Sequence, residues 1–333
     1  MKERITYFDT IRWMAAMFIF TTHFIAAFER DIFILWDEVF PINLFMYGVT
    51  GKLAVTVLGV VLGYLAFQKG QKDAENGNTI RYMLHRYLFF LAAGLVIHIL
   101  YGAAQSCSLI NYGIEFGDII ENSVFMKNTI VAHWWSMFPF LLGSVLCYIQ
   151  GKYYLGYREI LIEIAVFYLT GQVWISVCLM GSLVKCILDN ERCVTVLQKK
   201  WIRILIFAIL FVILKREESN LTYLIDGIGM SLFILVLCTW NVLQKFFGHK
   251  LWNTVNQNYM GVFLIHELVY VILGPRMING LLMIPYKLRL LIAYVICFVL
   301  ISVLAKIVDF IVRKVYKTFL IWEQSMWNLK RQK

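Results

Sequence analysis

Long apolar runs, separated by short charged segments, constrain this chain more than any other feature of its sequence. Hydrophobic residues make up 60% of the 333 residues and charged residues only 16%, with a mean hydropathy of +0.70. A soluble domain of this length needs more charged residues than these to cover its surface. The pattern therefore predicts an all-α polytopic membrane protein, surrounded by a lipid bilayer.

Ten apolar segments are predicted to cross the membrane as helices. They are 5–28, 49–67, 85–104, 134–150, 159–172, 173–188, 200–214, 222–243, 255–274 and 290–312. If the N-terminus is cytoplasmic, the inner segments hold most of the Lys and Arg residues, including the cluster Lys185–Arg203 and the tail Arg313–Lys333. Because positive charge is enriched on the cytoplasmic side, we expect both termini to be cytoplasmic.

The apolar stretch 158–188 decides the orientation of everything that follows it. It is long for one span and short for two spans of about 20 residues each. A single crossing would place the cluster Lys185–Arg203 on the outer side. The charge distribution therefore predicts two short spans joined by a tight hairpin near Gly171 and Gln172.

No internal repeat or low-complexity linker divides the chain, so we expect one transmembrane domain over residues 1–333. The predicted outer loops 29–48 and 105–133 are too short to be domains of their own. The tail, from about residue 313 to residue 333, is basic and contains Trp322 and Trp327. This composition is typical of an amphipathic segment that lies on the inner membrane surface.

Charge and cysteine distribution exclude two other classes of protein. The formal net charge is +10, but the basic residues flank the predicted spans, as membrane anchors do, and form no single stripe for nucleic acid. The seven cysteines are scattered, mostly within apolar segments, without a CxxC pair. They are interpreted as small buried side chains rather than as a disulfide framework.

The first predicted span carries two ionisable residues on one face. In FDTIRWMAAMFIFTTHF, His23 follows Arg12 by eleven residues, which is about three helical turns and about 16 Å along the axis. Asp9 precedes Arg12 by three residues and can pair with it. Arg12 has an alternative interpretation as an anchor that extends to the membrane surface, and His23 as a buried histidine bonded to a neighbouring carbonyl. Ionisable groups inside a membrane nevertheless usually serve a functional site.

Further histidines are predicted in the outer half of the membrane. His98 lies in the third span, His133 at the start of the fourth, and His266 in the ninth beside Glu267. No HxxxH or HxxE pair is present, so we expect no metal site. A general base is the better hypothesis, because imidazole titrates near neutral pH. Arg86, at the inner end of the third span, has a guanidinium group suited to phosphate.

Five segments, in order along the chain, resemble the integral-membrane acyltransferase-3 family. The first span resembles the opening of that family, in which an arginine follows an aspartate by three residues and a histidine lies eleven residues further on. The later matches are Gly51–Val55 with Leu62–Tyr64, His85-Arg86, His133–Trp135 and Asn258–His266. The chain departs from the family at Leu62 and Asn258, which replace serines. It also has Phe89 and Phe90 where a second arginine and a proline are common.

The resemblance implies transfer of an acyl group, commonly acetyl from acetyl-CoA, across the membrane to a hydroxyl of a surface or envelope polysaccharide. By this carry-over His23 is the catalytic base, and Arg12 and Arg86 bind the acyl-CoA donor. Asp9, which orients Arg12, is counted with the catalytic residues. His266 is a further candidate for orienting the acceptor or the intermediate. The expected location is the bacterial cytoplasmic membrane, with envelope-biosynthesis proteins as possible partners. The loss of the second arginine at Phe89 removes one of the residues expected to bind the donor phosphates.

Two alternative functions are compatible with the sequence. A polytopic transporter could move a glycan or small solute and use its buried histidines as a proton relay. The missing internal repeat and the scarcity of carboxylates within the spans argue against this interpretation. A sensor or interaction protein with this fold and no catalysis is the other alternative, favoured by the departure at Phe89.

Overall fold

The computed structural model describes residues 5–28, 50–131, 134, 136–214, 222–254 and 258–331. This part of the chain consists of helices joined by turns and short loops. The helices are α1 (Thr6–Phe28), α2 (Thr50–Lys72), α3 (Thr79–Ser106), α4 (Phe116–Phe125), α5 (Met137–Lys152), α6 (Tyr157–Leu169), α7 (Val173–Leu188), α8 (Glu191–Leu197), α9 (Lys200–Leu214), α10 (Thr222–Thr239), α11 (Asn241–Phe247), α12 (Tyr259–Gly280) and α13 (Tyr286–Arg331), with a 3-10 helix at Lys250–Thr254. The predicted outer loop 29–48 lies outside the described residues.

In the part of the chain that the structure describes, six helices are long and apolar enough to cross a membrane, which supports the prediction of a polytopic helical membrane protein. They are α1, α2 from Gly51, α3, α10, α12 and α13 over Leu288–Met326. A seventh crossing results if α7 and α8, which meet at a bend of 96°, form one broken span. The helices α5, α6, α7 and α9 occupy the four other predicted spans, but they contain only 16, 13, 16 and 15 residues. The number of ten crossings therefore stays a prediction.

The predicted hairpin within 158–188 is present. Helix α6 ends at Leu169, α7 begins at Val173, and the two helices pack against each other. Gly171 in the turn has φ = 79°, in the left-handed region that glycine adopts without a steric penalty. The sharp reversal of the chain therefore depends on a residue without a side chain.

Helix α2 lies at the centre of the bundle and packs against α1, α5, α7 and α10. Its contacts with α5 and α7 are made through glycines. A side chain at Gly63 would collide with the Cys178 carbonyl of α7, and one at Gly70 with the Tyr148 carbonyl of α5. Membrane helices gain little from apolar burial against one another, so small residues that allow close packing drive their association.

A second group of helices completes the bundle. Helix α12 packs against α1 and α13, and α13 packs against α3. Gly261 of α12 lies against the Ala305 carbonyl of α13, where a larger residue would separate the two helices. This arrangement leaves an internal space that is bounded by α1, α2, α3, α5 and α12.

The stretch 105–133, predicted as an outer loop, differs from that prediction. Helix α4 packs along α3, with Ser123 against Gly94, and the Tyr87 hydroxyl donates to the Val124 carbonyl over 3.0 Å. Gly94 lies about 18 Å before the end of α3, at ~1.5 Å per residue. The chain therefore returns along α3 as a short helix before α5 begins, because Gly94 and Gly102 leave room for it on the surface of α3.

The basic tail continues the last helix without a break through Arg331. Its Glu323 is only 4% exposed and lies 3.4 Å from His85 Nε2 and 3.7 Å from Arg81 Nε, both on α3. Tyr316 also packs edge-on against Phe89 of α3, with ring centroids 5.6 Å apart. The part of the tail around these residues is thus attached to α3 and extends the bundle.

Gly63→Ala tests the central packing. The added methyl group would meet a backbone carbonyl that can move only if α7 moves, so we expect the free energy of unfolding to fall by about 3 kcal/mol or more. Gly117→Ala in α4 is the matched control, because nothing lies within 4 Å of a methyl group there. We expect it to be neutral or slightly stabilising. Thermal unfolding in detergent measures both variants, and equal melting temperatures would contradict close packing of α2 against α7.

Candidate functional site

Arg12 is held by a carboxylate of its own helix and by a tyrosine of another. Its guanidinium pairs with Asp9, as the spacing of three residues predicts. It also donates to the Tyr259 hydroxyl of α12 over 3.0 Å, and its central carbon lies 4.3 Å from the centroid of that ring. The side chains of Arg12 and Asp9 are 19% and 6% exposed. These contacts fix the guanidinium inside the bundle, which disfavours its interpretation as an anchor at the membrane surface.

A narrow cavity of about 250 Å³ lies beside this pair. Arg12, Arg86 and Tyr259 provide polar groups to its wall, and the remaining lining is mostly apolar, including Leu62 and Phe90. The Arg86 Nε is 3.5 Å from the Ser144 hydroxyl of α5. The structure therefore brings together the two arginines that the sequence identified on separate spans.

A wider space, which we call the vestibule, adjoins the narrow cavity and has a volume of about 840 Å³. Both spaces are lined by Arg12, Lys69, Phe89 and Tyr259, among other residues, so they are neighbours. Further residues of α1, α2 and α13 line the vestibule alone; those with charges are Asp9, Lys72, Asp309, Arg313 and Lys317. The narrow cavity and the vestibule thus meet at the level of Arg12.

The structure places His23 next to His266. Their ring centroids are 5.2 Å apart. His266 is fully buried, and its Nδ1 lies 2.8 Å from the Phe263 carbonyl one turn earlier in α12. Phe263 lines the narrow cavity, so the imidazole pair lies one turn of α12 beyond that part of the wall. The two histidines that sequence analysis selected as catalytic candidates are therefore in one place.

Glu267 and Tyr101 surround this pair. The Glu267 carboxylate interacts electrostatically with both His23 and His266 and lies beside the Tyr101 phenol of α3. A carboxylate near imidazole orients the ring and stabilises its protonated form. In the sequence Glu267 was noted only as a neighbour of His266, and Tyr101 was missed.

The other histidines have different positions. The His98 Nδ1 is 2.9 Å from the Ser123 hydroxyl of α4, and its ring packs edge-on against Trp134 at 5.4 Å. His133 lies outside the described residues, as does Trp135 of the same motif. Within the described ranges, no group of three or more His, Cys, Asp or Glu side chains is arranged to hold a metal ion.

Several residues of the cavity wall were missed in the sequence, Tyr259 and Lys69 among them. Tyr259 precedes His266 by seven residues, or about two turns, which places both on one face of α12. The same spacing argument that connects Arg12 and His23 would have found it. Lys69 lines both spaces and pairs with Asp73 one turn later, but in the sequence it resembles the basic residues that commonly flank a membrane span.

The site is polarised along α1. Cationic groups lie at the Arg12 end, and an imidazole pair with a carboxylate lies about 16 Å further along the helix. No family model, curated protein or solved structure matches the chain. The resemblance to acyltransferase-3 proteins therefore depends on the five sequence segments alone.

A double-mutant cycle on Asp9→Asn and Arg12→Gln tests the pair. Each single variant leaves a charged group of a largely buried pair without its partner, so we expect a coupling free energy of about 2 kcal/mol. The control cycle uses Glu121→Gln and Lys127→Gln, an ion pair whose side chains are 48% and 47% exposed, with an expected coupling of about 0.5 kcal/mol. Unfolding in mixed detergent micelles measures both cycles. Equal couplings would contradict a buried position of Arg12.

Proposed function

We propose that this protein is a membrane-bound O-acyltransferase. It moves an acyl group, in the first instance acetyl, from cytoplasmic acyl-CoA to a hydroxyl of a cell-surface or envelope polysaccharide. The observation that supports the proposal most directly is the arrangement along α1. Arg12 lines the cavity that also contains Arg86, and the same helix carries His23 beside His266 three turns further on.

The donor is proposed to bind with its anionic part near Arg12 and Arg86. Guanidinium groups form paired hydrogen bonds with phosphate oxygens, and Arg12 is oriented for this by Asp9 and Tyr259. The thin thioester arm then follows the narrow cavity, whose wall is largely apolar. Its reach is comparable with the separation of about 16 Å between the Arg12 and His23 positions on α1.

In the proposed reaction the acyl group is transferred directly from the thioester sulfur of the donor to the hydroxyl oxygen of the acceptor. The acceptor hydroxyl attacks the thioester carbonyl, and His23 takes the hydroxyl proton as the new C–O bond forms. The C–S bond breaks, the thiolate leaves with its electron pair, and the proton on His23 returns to the thiolate to give free CoA. General-base assistance of this kind contributes about 10²–10⁴-fold, and positioning of the two substrates contributes further.

His266 and Glu267 support His23 in this scheme. His266 lies against the His23 ring, and Glu267 lies near both rings and orients them. His266 thus orients the acceptor or the intermediate.

The proposed topology separates the two substrates. Ten crossings with both termini in the cytoplasm place the Arg12 end of α1 on the cytoplasmic side and His23 in the outer half of the bacterial cytoplasmic membrane. The donor then enters from inside, and the polysaccharide approaches from outside, alone or delivered by an envelope-biosynthesis protein. Irregular backbone and bound polar groups at that depth must be sheltered by the surrounding helices.

His23→Ala tests the base assignment. Membrane vesicles that contain the protein are incubated with labelled acetyl-CoA and the host's polysaccharide, and incorporation of label is measured. We expect the variant to lose transfer by at least about 10²-fold, because the proton acceptor is absent.

His249→Ala is the matched control, since His249 is exposed and lies outside both spaces. We expect wild-type activity from it. Equal protein levels and melting temperatures for the two variants exclude a folding defect. Transfer by His23→Ala at the wild-type rate would refute the assignment, and solute flux without any incorporation would support the transporter instead.

A further inference from the structure

We propose that the vestibule is the binding site for the phosphorylated nucleotide head of the thioester donor, and that the cytoplasmic end of α13 forms one of its walls. This inference rests on the proposed function, because it assigns the head group of the same donor. It adds Lys69, Lys72, Arg313 and Lys317 to the two arginines considered so far.

The charge of the vestibule favours a polyanion. Among the described residues, five cationic side chains line it, against two carboxylates; the cations are Arg12, Lys69, Lys72, Arg313 and Lys317. Each carboxylate pairs with an arginine of its own helix. Asp9 pairs with Arg12 on α1, and Asp309 pairs with Arg313 on α13, where the Arg313 Nε lies 2.6 Å from Asp309. These pairs orient the guanidinium groups. Lys69 pairs with Asp73 one turn later in α2, so Lys72 and Lys317 supply the excess positive charge.

The two spaces differ in size and lining, as a ligand with a large charged head and a smaller arm requires. The vestibule is about 840 Å³ and is lined by charged groups, whereas the narrow cavity is about 250 Å³ and mostly apolar. Arg12, Lys69 and Tyr259 line both and mark the boundary between them. A nucleotide with several phosphates fits the first space, and a thioester arm fits the second.

The α13 wall is held in position before any ligand binds. Tyr316, which lines the vestibule, packs against Phe89 of α3. Further along, the buried Glu323 is bound by His85 and Arg81 of α3. Attachment on both sides of Lys317 fixes the helix beside the vestibule. Ligand binding therefore costs little conformational entropy for ordering this helix. Phe89 itself carries no charge, and the cations of the vestibule come from α1, α2 and α13.

The test compares donors that differ in their phosphates. Purified protein in phosphatidylcholine nanodiscs is titrated with CoA and with pantetheine, which lacks the nucleotide and its phosphates. The variant is Arg313→Gln with Lys317→Gln. A charge-assisted contact contributes about tenfold in affinity, so the variant should bind CoA about 10–100-fold more weakly and pantetheine unchanged.

The matched control is Lys314→Gln, which removes an exposed lysine of α13 that does not line the vestibule. It should bind CoA as the wild type does. Repeating the titrations in nanodiscs with phosphatidylglycerol separates the donor from an anionic lipid headgroup, which has the same phosphate chemistry. If the variant binds CoA as the wild type does in phosphatidylcholine nanodiscs, and its affinity for CoA differs from that of the wild type only when phosphatidylglycerol is present, the vestibule belongs to the lipid and the proposal is overturned.

The outcomes also separate this inference from the proposed function. If the wild type transfers acetyl groups while the double variant retains wild-type affinity for CoA, the vestibule assignment is wrong and the acyltransferase proposal stands. If CoA binding depends on Arg313 and Lys317 but no acetyl group reaches any glycan, the vestibule assignment stands and the acyltransferase proposal fails.

Discussion

The close approach of α2 to α5 and α7 is the contact on which the rest of this structure depends. Gly63 and Gly70 let the three backbones meet at distances that any side chain would forbid. The neighbouring face of α2 carries Leu58, Leu62 and Lys69, which form a wall of the narrow cavity. Tight packing on one face therefore sets the width of the space on the other.

The hydrophobic effect does not hold helices together in lipid. The geometry of the bundle therefore has to come from small residues and specific polar contacts. Arg12 with Asp9 and Tyr259 provides one such contact between α1 and α12.

The parts of the site that lie on one helix could be predicted from the sequence, because helical periodicity fixes which residues share a face. The Asp9–Arg12 pair follows from a spacing of three, and the shared face of Tyr259 and His266 from a spacing of seven. Contacts between helices have no such rule. The ring contact of His23 with His266 joins the first and twelfth helices, and it depends on how α1 and α12 are rotated against each other. Both residues were selected from their depth in the predicted spans, and nothing in the sequence indicates that they meet.

Composition was misleading where the chain is polar but buried. The stretch 105–133 has the composition of an exposed loop, yet α4 lies along α3 with Asn122 and Ser123 fully buried. The Asn122 side chain accepts from the backbone of Thr129 at 2.9 Å, which closes the turn after α4. The informative signal was the pair of glycines Gly94 and Gly102 on α3. They lie against α4, a helix that the apolar pattern of the sequence did not predict. The tail is a similar case, because basic residues that resemble membrane anchors line the vestibule in the folded chain.

The course of α4 and α5 also bears on how short helices contribute to a membrane domain. Alone, α5 has 16 residues and is about 24 Å long, less than the ~30 Å of a hydrocarbon core. With the 10 residues of α4 that precede it, the two helices reach about 39 Å. Their ends are consistent with one descent through the bundle. Helix α4 packs on the second half of α3, and Lys152, at the end of α5, donates to the Gly77 carbonyl just before α3 begins.

The break between α4 and α5 lies near Trp134, whose ring contacts Gly94 and His98. Non-helical backbone at such depth is tolerated where protein or a cavity encloses it, and here α5 begins with Met137 in the wall of the narrow cavity. Because the segment is broken between α4 and α5, the first turn of α5 lies at the cavity. A single continuous helix would have no terminus there.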